Sequence, residues 1–265
     1  MGFFGRERVE VPPHPRQEPR IQGPLTAETM ERVFTGCVDF AQRPVALGGV
    51  PGRTATLCYL SGMVKMERVS DYVLRPLAQD EALARCGTPR QAMEEMMGGA
   101  LYNLSAAERT TLDEAAFDLV AGWCLMFFPG ESAVLSLFVG TEEKRSISSP
   151  SNETVLKGSR DAFVESLRTN TSIVRRHLKT PELRIREQVV GRQSVTSVDI
   201  LYIEGLTNPH LVEQVAAQLA DIDIDAVLAT GNIEEYIVPA ARTAFPLVQY
   251  TERSDRFCAG LAEGR

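Results

Sequence analysis

The stretch VDILYIEGL at residues 198–206 decides the fold, because it matches TATLCYLSGM at residues 54–63 of the same chain. In both stretches an apolar run with a tyrosine leads into a glycine, Gly62 or Gly205, and a segment with helical periodicity follows. A second glycine pair, Gly122 and Gly264, follows the similar stretches DLVAGW and GLAEGR at almost the same offset. Two matched landmarks at nearly constant spacing predict two copies of one α/β structure.

Hydrophobic periodicity and turn signals predict the elements of both copies. Helices are expected over residues 26–40, 67–77, 89–104, 113–121, 159–177, 209–219 and 253–264, with another short helix starting at Gly231. Strands are expected over residues 55–60, 184–190, 196–203, 222–228 and 246–252, with a hairpin between Trp123 and Gly140. The predicted fold class is α/β, with two similar subdomains that each contain an open, mixed or mostly parallel sheet flanked by helices.

Proline and serine content divides the chain into three parts. Five prolines within residues 1–25 predict a flexible arm. The polar stretch KRSISSPSNET indicates a boundary, so the first subdomain is expected at residues 26–148 and the second at 149–265. The second copy shows no counterpart of the hairpin, which predicts a natural chain that continues into two short strands and then a membrane domain.

Composition limits the possible functions. The 44% hydrophobic and 24% charged fractions are typical of a soluble globular protein, and a net charge of −7 disfavours a general nucleic-acid binder. The N-terminal residues lack the apolar core of a signal peptide, which favours a cytosolic location. The five cysteines and three histidines have no metal-site spacing, and no nucleophile–base set is evident. The sequence therefore predicts no catalytic residues, no metal and no cofactor.

Two features are candidates for interaction or signalling. Glu204 is expected at the carboxyl end of a strand, where open α/β sheets bind ligands, although it could instead pair with a nearby arginine. A dense basic series is either a solvated face with internal ion pairs or a contact with an anionic membrane surface or an acidic neighbouring subunit. That series is Arg168, Arg175, Arg176, Lys179, Arg184, Arg186 and Arg192.

Several short motifs carry a resemblance to a known family. They are Glu153, Gly158, the run FVESLRTN at residues 163–170, Arg175-Arg176, Gly191-Arg192, YIEG at 202–205 and YTER at 250–253. Together they resemble the A subunits of GerA-type spore germinant receptors, densely in the second half of the chain and weakly in the first. Ser159 and Ser254 stand where the family usually has proline.

The resemblance implies a cytosolic N-terminal region of two α/β subdomains, followed by a membrane domain in the spore inner membrane. It implies assembly with a transporter-like B subunit and a lipoprotein C subunit, in a complex that releases ions when it senses germinants. It also implies a homo-oligomer through the full-length A subunit and no enzymatic activity. The candidate interaction residues are Arg168, Asn170, Arg175, Arg176, Glu204 and Gly205.

Three readings remain open from the sequence. The first is a signalling and assembly domain of a membrane receptor, with the related stage V sporulation AF protein as a close variant of that reading. The second is a small-molecule-binding module with its ligand in a cleft between two similar lobes near Glu204. The third is a hydrolase or transferase with unfamiliar residues.

Overall fold

The computed structural model describes residues 21–50, 52–100, 105–140, 161–227, 230–238 and 248–265. Internal contacts divide the chain into two compact units. Unit 1 comprises Met1–Arg32, Gln42–Tyr59 and Val64–Thr141, and unit 2 comprises Val33–Ala41, Leu60–Met63 and Glu142–Arg265. The predicted boundary between residues 148 and 149 lies outside the described residues, and so does most of the predicted arm, so both stay predictions.

A five-stranded sheet carries the core of unit 1, in the order β1-β2-β4-β5-β3. Its strands are β1 Phe40–Ala46, β2 Thr54–Leu60, β3 Ala106–Arg109, β4 Trp123–Phe127 and β5 Val134–Phe138. The pairs β2–β4, β4–β5 and β3–β5 are antiparallel. The predicted hairpin is confirmed, but a mostly parallel sheet is wrong for these pairs. The six residues 128–133 join β4 to β5, a connection too short for a parallel crossover, and β4 also runs antiparallel to β2.

The helices of unit 1 mostly follow the predicted pattern. They are α1 Ala27–Val33, α2 Met66–Arg68, α3 Arg75–Gln79, α4 Glu81–Arg85, α5 Pro89–Glu95 and α6 Leu112–Val120. Segments of π-helix, Val69–Leu74 and Met96–Ala100, continue α2 into α3 and extend α5. Apolar residues of β2, β4, β5 and these helices form a large buried cluster that includes Leu57, Val73, Met93 and Leu135.

Unit 2 contains a two-stranded antiparallel sheet of β6 Leu183–Val190 and β7 Thr196–Ile203. Its helices are α7 Leu167–His177, α8 Pro209–Ala220, α9 Thr230–Ile237 and α10 Ser254–Ala262. Leu201 and Ile203 of β7 join an apolar cluster with α7 and α10, and Val198 and Ile200 join a separate cluster with α8. Because side chains alternate along a strand, both faces of β7 are covered.

The matched glycines support the internal repeat. Gly62 and Gly205 follow β2 and β7 with φ of 84° and 78°, and Gly122 and Gly264 follow α6 and α10 with φ of 91° and 85°. These angles lie in the left-handed region, which glycine enters without the steric penalty of a Cβ atom. The two copies therefore place glycine where each copy makes the same kind of turn.

Several predicted boundaries are wrong. The helix expected at 26–40 ends at Val33, and the residues that follow lead into β1, which was not predicted. The short strand β3 was also missed. The helix expected to start at residue 159 begins only at Leu167, because Ser166 is its N-cap. Neither 222–227 nor 248–252 forms a strand, while the remaining residues of those two predicted strands lie outside the described part.

Candidate functional site

Helix α7 of unit 2 presents the arginines that the sequence singled out. The Ser166 hydroxyl accepts a hydrogen bond from the Thr169 N–H at 3.4 Å and caps the helix. The Asn170 side chain accepts from the Val164 N–H at 2.8 Å and donates to the Val164 carbonyl at 2.7 Å. Much of the FVESLRTN motif therefore fixes the entry into α7, which explains Asn170 by local structure.

Arg175 lies in the interior of unit 2, where it pairs with Asp39. Its Nε and Nη2 atoms donate to the two Asp39 carboxylate oxygens at 2.5 and 2.8 Å. The two side chains are 1% and 2% exposed. Burial alone would lower the pKa of Arg175, but the hydrogen bonds and the charge of Asp39 outweigh it and raise the pKa. The two side chains form a doubly hydrogen-bonded ion pair.

The backbone around Asp39 is held in the same unit. The Val38 N–H donates to the Ile185 carbonyl of β6 at 2.9 Å, and the Ser61 N–H donates to the Asp39 carbonyl at 2.7 Å. Arg175 Nη1 also donates to the Leu183 carbonyl at 3.4 Å. Arg175 therefore joins α7, β6 and the segment 33–41, and it is an organising residue of the unit 2 core.

Arg168 lies two turns earlier on α7 and bridges two carboxylates of the sheet. It contacts Glu187 of β6, and its Nη1 atom lies 3.3 Å from Asp199 Oδ2 on β7. The Asp199 side chain is fully buried, and its Oδ1 atom has no hydrogen-bond partner. Burial raises the pKa of Asp199, the positive charge of Arg168 opposes that rise, and Glu187 and Asp39 add to it. We call these five residues, Asp39, Arg168, Arg175, Glu187 and Asp199, the charge cluster.

The charge cluster corrects part of the sequence-based expectation. Arg168 and Arg175 were candidate interaction residues, but Arg175 is only 1% exposed and is therefore not available for contact with a partner, whereas Arg168 is 39% exposed. Arg176 is exposed, as a surface contact requires. Arg184, Arg186 and Arg192 lie near Glu204, Glu213 and Asp223 at 3.6, 2.9 and 2.7 Å. The basic series is therefore largely a set of internal ion pairs.

Glu204 and Gly205 end β7 as predicted, in an exposed turn. The Glu204 side chain is 55% exposed and lies 3.6 Å from Arg184 Nε. Gly205 has a φ of 78°, and a Cβ atom added there would meet nothing within 4 Å. This arrangement matches the alternative in which Glu204 pairs with a nearby arginine.

Two family motifs meet at the start of helices α7 and α10. Ala162 and Arg253 form an antiparallel bridge, and the Phe163 N–H donates to the Glu252 carbonyl at 2.8 Å. The Ser254 hydroxyl donates to the Asp161 carbonyl at 3.0 Å. Ser254 is the first residue of α10, a position that tolerates proline, so the departure from the family pattern keeps the helix start and adds a hydrogen bond.

Ser254, His177 and Asp161 are adjacent, but their geometry differs from that of a catalytic triad. The Ser254 hydroxyl lies 3.3 Å from His177 Nε2, and Asp161 Oδ2 lies 3.5 Å from the same nitrogen. A triad needs the carboxylate on the opposite ring nitrogen from the nucleophile. Ser254 is also completely buried. We therefore assign these three residues to structure. No group of three or more metal-ligating side chains occurs among the described residues.

A cavity of about 180 Å³ lies within unit 1. Its lining includes Leu47, Arg53, Cys86, Pro89 and Ala92. Arg53 Nη1 donates to the carbonyls of Ala84, at 3.0 Å, and of Cys86. Glu204, the residue around which a ligand was expected, does not line this cavity.

Sequence reasoning missed all three acidic members of the charge cluster, which are Asp39, Glu187 and Asp199. Asp199 offers a signal, because it is a charged residue within the apolar strand VDILYI and a buried carboxylate needs a cationic partner. Asp39 offers no such signal, since its partner Arg175 lies 136 residues away in the chain.

The comparisons with known proteins agree on one family. The profile described as "Bacillus/Clostridium GerA spore germination protein" matches residues 28–265. The chain belongs to the GerA family. It is 34% identical to the uncharacterized membrane protein YfkQ of Bacillus subtilis, over 90% of this chain and 45% of that protein. It is 32% identical to spore germination protein KA of the same organism, over 90% of this chain and 43% of that protein.

A solved structure supports the same assignment. The N-terminal domain of the A subunit of the Bacillus megaterium spore germinant receptor GerK3 is 26% identical, with a TM-score of 0.66. That match covers 90% of this chain and 86% of the solved chain. The chain spans less than half the length of the two curated relatives. In the described residues of this GerA-family chain, every helix is too short or too polar to cross a bilayer.

Proposed function

We propose that this chain is the N-terminal domain of a germinant receptor A subunit, and that it acts in assembly of the receptor and in signal transmission. One observation carries the proposal. The family match extends over residues 28–265, and the GerK3 A-subunit domain has the same fold over 90% of the chain. The full receptor would release ions when it senses a germinant.

The proposed location is the cytosolic face of the spore inner membrane. The proposed partners are the transporter-like B subunit and the lipoprotein C subunit, together with further copies of the full-length A subunit. The GerA family resemblance supports these partners, and the negative net charge of −7 disfavours a nucleic acid. We propose no enzymatic step.

We propose that the basic contact surface consists of the accessible members of the basic series. Arg175 is committed to Asp39, and Arg168 is shared between Glu187 and Asp199. Arg176 on α7 and Lys179 just after it are exposed. We propose these two residues as the positive contact for an acidic subunit surface, because rim charges set partner choice and association rate.

The test changes the exposed charges of Arg176 and Lys179 and leaves the buried Arg175 unchanged. Arg176→Glu with Lys179→Glu is expected to leave the isolated domain folded, because surface charges contribute only about 0–1 kcal/mol each. The same double variant in spores of the source organism is expected to lose receptor assembly and the germinant-triggered release of ions. Arg85→Glu in unit 1, where Arg85 is 78% exposed, is a single charge-reversal control, and spores that carry it should germinate normally.

Normal germination by well-expressed Arg176→Glu/Lys179→Glu spores would refute the contact surface but leave the receptor assignment intact. Deletion of the gene tests that assignment separately. Loss of the response to one class of germinant, with other responses retained, supports a receptor A subunit. Intact responses to every germinant together with impaired sporulation would favour a role like that of the stage V sporulation AF protein.

A second candidate function is a small-molecule-binding module, and the cavity of about 180 Å³ in unit 1 is the site at which it can be tested. A ligand that binds only the folded state stabilises it in proportion to the logarithm of its concentration over Kd. A metabolite that raises the melting temperature of the wild type, but not of an Ala92→Phe variant with a filled cavity, would support this function. Equal shifts in both proteins would exclude the cavity as the binding site.

A further inference from the structure

The cavity of unit 1 has an apolar interior and a polar rim. Leu47, Leu83 and Ala92 line it and are at most 5% exposed. Thr54 and Thr88 also line it, and both of these residues are exposed. The cavity therefore connects solvent to an apolar interior, which is the arrangement in which a small molecule buries its apolar part.

The size of the cavity limits the ligand. An apolar cavity of roughly 150 Å³ holds benzene, which has six carbon atoms. The cavity of unit 1 has a volume of about 180 Å³. It therefore suits a molecule of about six to eight non-hydrogen atoms and is too small for a nucleotide or a disaccharide.

Arg53 supplies a positive charge at the wall of the cavity. Its Nη1 atom donates to the Ala84 carbonyl at 3.0 Å and to the Cys86 carbonyl, at the end of helix α4. Both of these hydrogen bonds use Nη1, so in the described part of the chain Nε and Nη2 remain available. These two groups lie on one edge of a guanidinium and can donate two parallel hydrogen bonds to a carboxylate.

The rest of the wall offers nothing that would attract a cation. None of the described residues that line the cavity carries a carboxylate. Burial and then the charge of Glu95 raise the pKa of the Cys86 thiol, while Arg53 opposes that rise, so the thiol is neutral near pH 7. An anion in the cavity thus meets one cation, whereas an ammonium group finds no acidic partner on the described wall.

We propose that the cavity of unit 1 binds a small monocarboxylate with a branched apolar body, and that its carboxylate pairs with Arg53. This inference rests on the small-molecule-binding function proposed above and names the ligand class for that function. A zwitterionic amino acid of the same size should bind more weakly. Its ammonium group would lose water without gaining a charged partner, and such a loss is costly.

The experiment uses Cys86 as a reporter inside the cavity. Cys86 is half-buried, whereas the other four cysteines are buried. Alkylation of Cys86 in the purified chain by iodoacetamide is followed by peptide mass spectrometry, with isovalerate, isovaleramide, valine or inorganic phosphate as the probe. Isovalerate is expected to slow the alkylation. Isovaleramide has the same shape without the charge, so equal protection should need a concentration about tenfold higher or more.

Three variants connect the protection to the proposed site. Arg53→Met should abolish the preference for isovalerate over isovaleramide, and Arg53→Lys should keep part of it because the cation remains. Ala92→Phe fills the cavity and should remove protection by every probe. Arg85→Met is the matched control, since Arg85 belongs to α4 and is 78% exposed, and this variant should behave like the wild type.

The wild-type comparison decides the ligand class even if an Arg53 variant fails to fold. Equal protection by isovalerate and isovaleramide would overturn the monocarboxylate class and leave a small-molecule function intact. Valine or phosphate that protects as well as isovalerate would also overturn that class. Absence of protection by every probe would overturn both the class and the binding function of the cavity, while the receptor assignment would still rest on the family match.

Discussion

Strands β2 and β7 hold matching places in the two copies, yet their surroundings differ. Strand β2 has a partner on each side, and Leu57 and Cys58 within it are completely buried. Strand β7 has β6 as its partner among the described residues, and its apolar residues are only partly buried. Similar local sequences therefore reach different degrees of burial, because burial depends on how many strands the sheet holds.

The two units also differ in what holds their interiors. Among the described residues, unit 1 contains a large apolar cluster, whereas the two clusters that pack against the sheet of unit 2 are small. Of the exposed large apolar residues in the described chain, two lie in unit 1 and seven in unit 2. Unit 2 buries the Arg175–Asp39 ion pair almost completely, whereas in unit 1 the Arg109–Asp118 pair leaves the arginine 17% exposed. A unit with a small apolar core depends more on the geometry of its polar contacts, since buried charges are costly unless paired.

Replacement of Arg175 is expected to destabilise unit 2 and to cause the largest loss of unfolding free energy. Arg175→Met leaves the Asp39 carboxylate buried without its partner, which costs about 3–5 kcal/mol of unfolding free energy. Urea unfolding followed by far-UV circular dichroism measures the loss. Trp123, the only tryptophan, lies in β4 of unit 1, so its emission follows unit 1 separately.

The double variant Arg175→Met with Asp39→Leu is the control for that experiment. Replacement of both partners removes the unpaired charge, so most of the lost stability should return. Arg176→Met changes the exposed neighbouring residue and should stay near wild type. An unfolding midpoint for Arg175→Met equal to that of Arg176→Met would contradict the organising role of the ion pair.

Matched truncations in β2 and β7 sharpen the comparison of the strands. Leu57→Ala removes a completely buried side chain and should cost about 2–5 kcal/mol. Ile200→Ala at the matching position of β7 removes a half-buried side chain, so its cost should be smaller. Denaturant midpoints of the two variants test this order. A larger loss for Ile200→Ala would show that β7 is as well packed as β2.

Substitution of the glycines that follow β2 and β7 should cause the next largest loss of stability. Gly205→Val forces a β-branched residue to a φ of 78°, which should cost about 1–3 kcal/mol through backbone strain alone. At Gly62 a Cβ atom would also lie 3.3 Å from the Arg168 carbonyl, so Gly62→Val should cost more. Melting temperatures of both variants report the difference. A Gly205→Val protein that melts like wild type would show that the turn after β7 is ordinary.

Asp199 is expected to give the smallest effect, visible as a pH dependence. Burial raises its pKa above the ordinary 3.8 in the folded state. The folded protein thus binds the proton up to a higher pH than the unfolded chain, so the unfolding free energy falls as pH rises from 3.8 through the raised pKa. Asp199→Asn imitates the protonated form, and its stability relative to wild type should increase over that interval.

Asp255 is a control for the titration, because its pKa is shifted in the opposite direction from that of Asp199. A hydrogen bond from Arg253 lowers the pKa of Asp255, so its stabilising contribution is present above the ordinary carboxyl pKa and is lost as the pH falls. Asp255→Asn should therefore lose stability relative to wild type at neutral pH. Unfolding free energies measured between pH 3 and pH 7 for both variants check the two directions. The same slope in both would contradict the assigned environments.

Local sequence patterns determined most elements of this GerA-family chain. Apolar runs predicted β2 and β7, an alternating pattern predicted β6, and a hairpin was predicted between Trp123 and Gly140. The repeated glycines marked turns with positive φ, which is a backbone property that glycine alone adopts freely. The α/β class and the motifs of the family resemblance followed from the same local information, because propensity and periodicity act over a few residues.

Only the tertiary structure decided strand direction, strand partners and the fate of the arginines. No local pattern distinguishes the exposed Arg176 from the buried Arg175 beside it, since the difference lies in Asp39, 136 residues earlier. In the same way, the sequence of β7 specifies two covered faces but not the neighbour at its edge. Contacts between distant segments determine which side chains are buried. Burial in turn determines the free-energy cost of an unpaired charge, and strand pairing determines whether a strand edge stays exposed.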